Sequence, residues 1–179
     1  PNRDLHSGSF GGAVDNPINA LAHIISKLKD EKGKILIDGF YDDVRNLTEK
    51  ERLEYTKLPF DEKRYKNDLE IDETFGEEGY TTLERASARP TLDCNGIWGG
   101  FQGEGAKTVL PSKAGAKISM RLVPDQEPEK IERLFTDYVS KISPKSVKVE
   151  IKSLHGGKGA ITPIDSPAMD AAVEAMTKG

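Results

Sequence analysis

An α+β fold, an antiparallel sheet with helices packed on one face, is predicted by three features of this 179-residue chain. Two segments alternate apolar and polar residues with the period of a strand. Two others repeat apolar residues with the period of a helix. Their order, a helix and then strand, helix, strand, suits a sheet covered on one side.

The elements follow in chain order. NPINALAHIISKLKDEK, residues 16–32, predicts the first helix. Asn16 caps it, Pro17 suits its first turn, and Ile18, Leu21, Ala22, Ile25 and Leu28 recur at helical spacing until Gly33 supplies a stop. From about residue 39 to 89 the character changes. Residues 42–89 hold 14 acidic and 9 basic side chains, an excess that covers the net charge of −4. Within them LTEKERLEYTKLP, FDEKRYKNDL and TTLERASARP read as short surface helices, so the segment is expected to be a solvated, charged helical insertion.

The sheet is expected from strands at about 91–98, 116–123 and 146–153. In AKISMRL, Ala116, Ile118, Met120 and Leu122 share one face, and Lys117, Ser119 and Arg121 the other. In VKVEIK, Val147, Val149 and Ile151 alternate with lysine and glutamate. Between these strands, residues 127–142 predict the second long helix. Ile131, Leu134, Phe135, Tyr138, Val139 and Ile142 form one stripe, with Pro128 in the first turn and Pro144 beyond the end. The two long helices should lie side by side on the apolar face of the sheet. Ile118, Met120, Leu134, Tyr138 and Val149 should then be shielded, and Lys117 and Lys148 exposed.

Bulk properties narrow the function. Hydrophobic residues make up 36% and charged residues 31%, as in an ordinary soluble domain. No apolar run reaches the roughly 20 residues that span a bilayer, so no membrane partner is expected. Mixed charge with a small negative excess argues against nucleic acid. A single cysteine, Cys94, fits a reducing, cytoplasmic setting. A start on Pro1 and an end just past a helical pattern suggest a segment of something longer.

Chemistry-bearing residues concentrate near glycines. RDLHSGSFGG presents His6 on a flexible loop, and LHGG presents His155. NGIWGGFQGEGAKTVLP is glycine-dense but leads into a strand-like run ended by Pro111, not into the helix that a phosphate loop requires. The histidines His6, His23 and His155 are scattered, and no His-Glu-x-x-His run occurs, so the chain itself is expected to hold no metal or cofactor. His23 reads as a packed or half-exposed residue of the first helix. No G-x-S-x-G elbow is present, which leaves serine hydrolysis unsupported. His6, Asn95, Thr108, Arg121 and His155 remain. They suit a domain that grips a polar, anionic ligand without completing an active site.

Four separated stretches resemble the carnosinase-like dipeptidases of the zinc metallopeptidase family that also contains aminoacylase. They are RDLHSGSFGGAVDNPINAL, PTLDCNGIWGGFQGEGAKTVLP, KISMRLVPDQEP and LHGGKGAITPIDSPAMDAAVEAM. The resemblance implies a ferredoxin-like lid and dimerisation domain at 1–160, carrying the charged insertion at about 39–89. Residues 161–179 would be a stub returning to a catalytic domain. It places two zinc ions and the general base in that catalytic domain, outside these residues, and implies a homodimer, a small peptide substrate and inactivity of this segment alone. By motif, His6 would stabilise the oxyanion in the neighbouring subunit's site, and Arg121 would grip the substrate carboxylate. Thr108 and Asn95 would contact substrate, with His155 lining the pocket. A free-standing binding or dimerisation module with no enzymatic parent is the alternative.

Overall fold

A computed structural model describes residues 1–178. In chain order the elements are β1 (Leu5–His6), α1 (Ser7–Phe10), α2 (Pro17–Ser26), α3 (Glu49–Lys57), α4 (Glu62–Asp68), α5 (Thr82–Ser87), β2 (Thr91–Gly99), β3 (Val109–Leu110), β4 (Ala114–Arg121), α6 (Pro128–Ile142) and α7 (Pro167–Lys178). The strands form two antiparallel pairs, β1 with β3 and β2 with β4. The architecture is α+β, as expected, but the sheet is divided.

Helix α2 starts as predicted, with the Asn16 side chain accepting from the Ile18 amide and Pro17 in the first turn. It ends at Ser26, earlier than the expected 32. Asp30 explains the early stop: its carboxylate accepts from the amides of Lys32 and Lys34, a local alternative that competes with helical bonding. Gly33, at φ +80°, turns the chain so that Ile35 and Ile37 return to the core.

The core joins α2, β2 and α6. Ile24, Leu28, Ile35, Ile37, Phe40, Leu92, Ile131 and Val139 are buried together, with Ile118, Met120, Leu134 and Tyr138 packed against them. The Tyr138 hydroxyl donates to the Lys27 carbonyl at 2.9 Å, which ties α6 to the end of α2. The expected third strand at 146–153 does not form. Val149 is 43% exposed, and among the described residues no backbone hydrogen bond joins 148–153 to a strand. Alternation marks a segment able to pair, but pairing needs a sheet edge in reach. Here Ile151 rests on the core and Ser153 donates to Glu132 of α6, so side chains hold the segment.

The charged insertion carries three short helices, as predicted, but it is not merely solvated. Glu84 and Arg89 are buried. The Arg89 guanidinium forks onto both carboxylate oxygens of Glu77 at 2.8 Å, and it lies over the rings of Tyr80 and Tyr41. Glu84 accepts from the Thr81 amide and pairs with Arg52. A buried polar network thus fastens the insertion to the core through Tyr41, whose own hydroxyl accepts from the Ile35 amide.

A second network starts α3. Thr48 and Glu51 form a reciprocal capping box, and Arg45 grips both Glu51 oxygens at 2.6 and 2.9 Å. The guanidinium, helped by the Thr48 amide, holds the Glu51 carboxyl at about 2, below its ordinary 4.5. The folded chain therefore keeps this group charged at pH values where the unfolded chain protonates it. Its contribution is complete above about pH 4.5 and is lost as pH falls toward 2. Urea melts should show Glu51→Gln costing about 1–2 kcal/mol near neutrality, with the gap from wild type closing across that window.

Candidate functional site

His6 is fixed from both ring nitrogens. The Gly8 amide donates to Nδ1 at 3.1 Å, so Nδ1 is the acceptor and the neutral imidazole carries its proton on Nε2. Nε2 in turn lies 3.1 Å from Thr108 Oγ1, to which it donates. The backbone sets this pairing up. Leu5 faces Leu110 and His6 faces Val109, and the Ser7 amide donates to the Thr108 carbonyl at 3.1 Å. Asp4 staples the same strands by accepting from the Ser112 amide at 2.7 Å and its hydroxyl at 2.9 Å. These bonds to Ser112 hold the Asp4 carboxyl below its usual range. Two of the five candidates, His6 and Thr108, are thus brought together, and both are exposed.

Arg121 belongs to a different locality. It ends β4 opposite Thr91, on the face of the β2–β4 pair turned away from the core. A cavity of about 510 Å³ opens there, lined by Thr91, Asp93, Ser119, Arg121, Gly157 and Lys158 among others. Asp93 is engaged by Lys29 at 3.2 Å and Lys158 by Glu127 at 2.7 Å. Among the described residues Arg121 has no carboxylate partner. Its guanidinium is therefore the cavity's available anchor for an anion, with the planar fork that suits a carboxylate.

Asn95 sits in a β-bulge. Cys94 pairs with Ile118 and Gly96 with Lys117, which leaves Asn95 the extra residue between them. Bulges re-aim side chains and are common beside active sites. His155 is exposed on the irregular segment before Gly156; its neighbours Gly157–Gly159 line the Arg121 cavity, while His155 does not. No hydrogen bond or ion pair among the described residues joins the His6–Thr108 pair to Arg121. Nor do three His, Cys, Asp or Glu side chains among them converge as a metal site requires.

Sequence reading noted the glycines beside His6 and His155 but passed over Asp4. Asp4 had a weak signal, lying two residues before His6. Its partner Ser112 is distant in sequence, so the staple is visible only in three dimensions. None of the described helices is long and apolar enough to cross a membrane.

Comparison with known proteins identifies the family. Residues 1–147 match the family described as the peptidase dimerisation domain. The chain is 37% identical over 169 residues to the Cys-Gly metallodipeptidase dug1 of Schizosaccharomyces pombe, covering 92% of this chain and 35% of that protein. It is 33% identical over 143 residues to the human Beta-Ala-His dipeptidase, covering 80% of this chain and 28% of that protein. The crystal structure of an M20 family metallo-carboxypeptidase from Sulfolobus solfataricus superposes with a TM-score of 0.88 at 36% identity, over 99% of this chain and 46% of that one. The chain spans about a third of the length of the curated relatives it matches. With residues 1–147 matched, it belongs to the peptidase dimerisation domain family.

Proposed function

We propose that this chain is the lid and dimerisation segment of a zinc-dependent dipeptidase, which pairs with its own copy and lends substrate-binding groups to a peptidase site. The observation that carries the reading is the free guanidinium of Arg121 at the mouth of a cavity whose other charges are already paired. A dipeptide presents a carboxylate of the right shape for that fork. The metallodipeptidase relatives support the choice of peptide as substrate.

Each remaining group has a role on this reading. The Nε2–H of His6 rests on Thr108 Oγ1 and, on this reading, turns to an oxyanion in the partner subunit's site when substrate binds. Thr108, bonded to His6, contacts the same substrate. Asn95 reaches the ligand from its bulge, and His155, outside the Arg121 cavity, meets only a part of the ligand that extends beyond it. Among the described residues no His, Cys, Asp or Glu cluster converges, and this reading assigns the zinc and the base to the catalytic segment of the full-length protein. Residues 161–179, with α7, form the returning stretch. A cytoplasmic setting suits the free Cys94.

The test uses the full-length protein, zinc and a dipeptide. Arg121→Ala should raise KM about 50- to 150-fold, the loss expected for a bidentate charged hydrogen bond. A dipeptide ending in an amide should bind weakly to both forms and respond little to the substitution. Equal sensitivity of acid and amide substrates would show that Arg121 does not hold the carboxylate.

A further inference from the structure

Residues 157–159 form one wall of the Arg121 cavity, and the three glycines of the 156–159 stretch differ in surroundings. A Cβ at Gly156 would lie 2.8 Å from Pro128 Cβ, and one at Gly159 would lie 3.0 Å from the backbone of Val123 and Pro124. Both glycines are therefore pressed onto the turn between β4 and α6, where a side chain does not fit. Gly157 is different. A Cβ there meets nothing within 4 Å, yet the residue lines the cavity beside Arg121. Packing does not require glycine at 157. Atoms added there would occupy space that the cavity now keeps open.

We propose that Gly157 is a specificity-determining position, whose bare backbone lets the cavity accept peptides with a large C-terminal side chain. The inference rests on the reading that Arg121 grips the peptide carboxylate. Once that carboxylate is held, the adjoining α-carbon is one bond away, and its side chain must enter the same cavity. The volume, about 510 Å³, is ample for an aromatic group. Charge does not set the preference, because Asp93 and Lys158 are each neutralised by a partner. The Lys158–Glu127 pair also ties this wall to the start of α6, so the wall keeps its distance from β2 and β4. Size at position 157 is the remaining variable.

The experiment compares Ala-Gly and Ala-Phe as substrates of the full-length, zinc-loaded protein. Wild type should cleave both. Gly157→Val should lower the ratio of kcat/KM for Ala-Phe over Ala-Gly about 20-fold, chiefly through the KM of Ala-Phe, within the range that a few methyl groups command in a pocket. Gly157→Ala should shift the ratio the same way by about 3-fold. If Gly157→Val fails to fold by circular dichroism, Gly157→Ala decides alone. Proportional losses on both peptides, or an unchanged ratio, would overturn the inference while leaving the peptidase reading intact. So would a wild type that cleaves Ala-Gly and rejects Ala-Phe. A wild type that cleaves neither peptide would overturn the peptidase reading and this inference with it.

Discussion

Replacing His6 with alanine in the full-length protein is expected to lower kcat by about 10²- to 10³-fold, with a much smaller change in KM. The imidazole is held as an Nε2–H donor by the Gly8 amide, and such a donor is most useful where negative charge develops in the transition state. Zinc content and dimerisation should survive, because His6 is exposed and its strand pairing is made by backbone and Asp4. Mixing His6→Ala with a variant lacking a metal ligand then tests whether the donor crosses between subunits. Random pairing gives half mixed dimers, each with one intact site, so about a quarter of wild-type sites should return. No recovery under conditions of proven subunit exchange would place His6 in its own chain's site. Thr108 should behave as His6 does in the mixing test, since the two are hydrogen-bonded within one chain.

The second large effect is on stability. Arg89→Ala should cost about 3–5 kcal/mol in urea unfolding, the penalty for breaking a buried pair from one side. The guanidinium is 7% exposed, and removing it leaves Glu77 without its fork and the rings of Tyr41 and Tyr80 without their shared cation. Arg89→Lys should recover only part of the loss, because a point charge cannot reproduce two parallel hydrogen bonds. The double variant Arg89→Met with Glu77→Leu should be milder than Arg89→Ala, since no buried charge is then abandoned. Additive losses in that pair would show that the fork contributes no coupling.

Local signals were the legible ones. Asn16, Pro17 and the stripe on α6 announced their helices, and the alternation through Ile118 and Met120 announced β4 with its inner face. The three helices of the charged segment were legible as short charged stretches, and the structure adds their caps at Thr48 and Thr81. What escaped depends on distant partners. The alternation at 147–151 looked like a strand, but pairing is decided by the neighbouring edge, not by the segment. The burial of Arg89 and Glu84 was hidden because composition averages over a stretch and cannot tell which charge faces Tyr41. The candidate site divides similarly. Its residues were identifiable by type and by their glycine surroundings, whereas the union of His6 with Thr108, the isolation of Arg121 and the bulge at Asn95 are properties of register.

The short pairing of β1 with β3 has one more consequence. Asp4 and Ser112 are 108 positions apart, and closing a chain loop of that length costs about 4 kcal/mol from its logarithmic part alone. Against that cost stand only two register pairs and a few exposed bonds, those of Asp4 to Ser112 and of Ser7 and His6 to Thr108. The ends meet because the intervening hundred residues have already folded and shortened the search. The geometry at His6 therefore reports on the integrity of the whole intervening domain. A lesion as remote as Glu77 is therefore expected to reach the imidazole through the fraction of molecules whose ends are closed, read as faster amide exchange at Ser7 in Glu77→Ala.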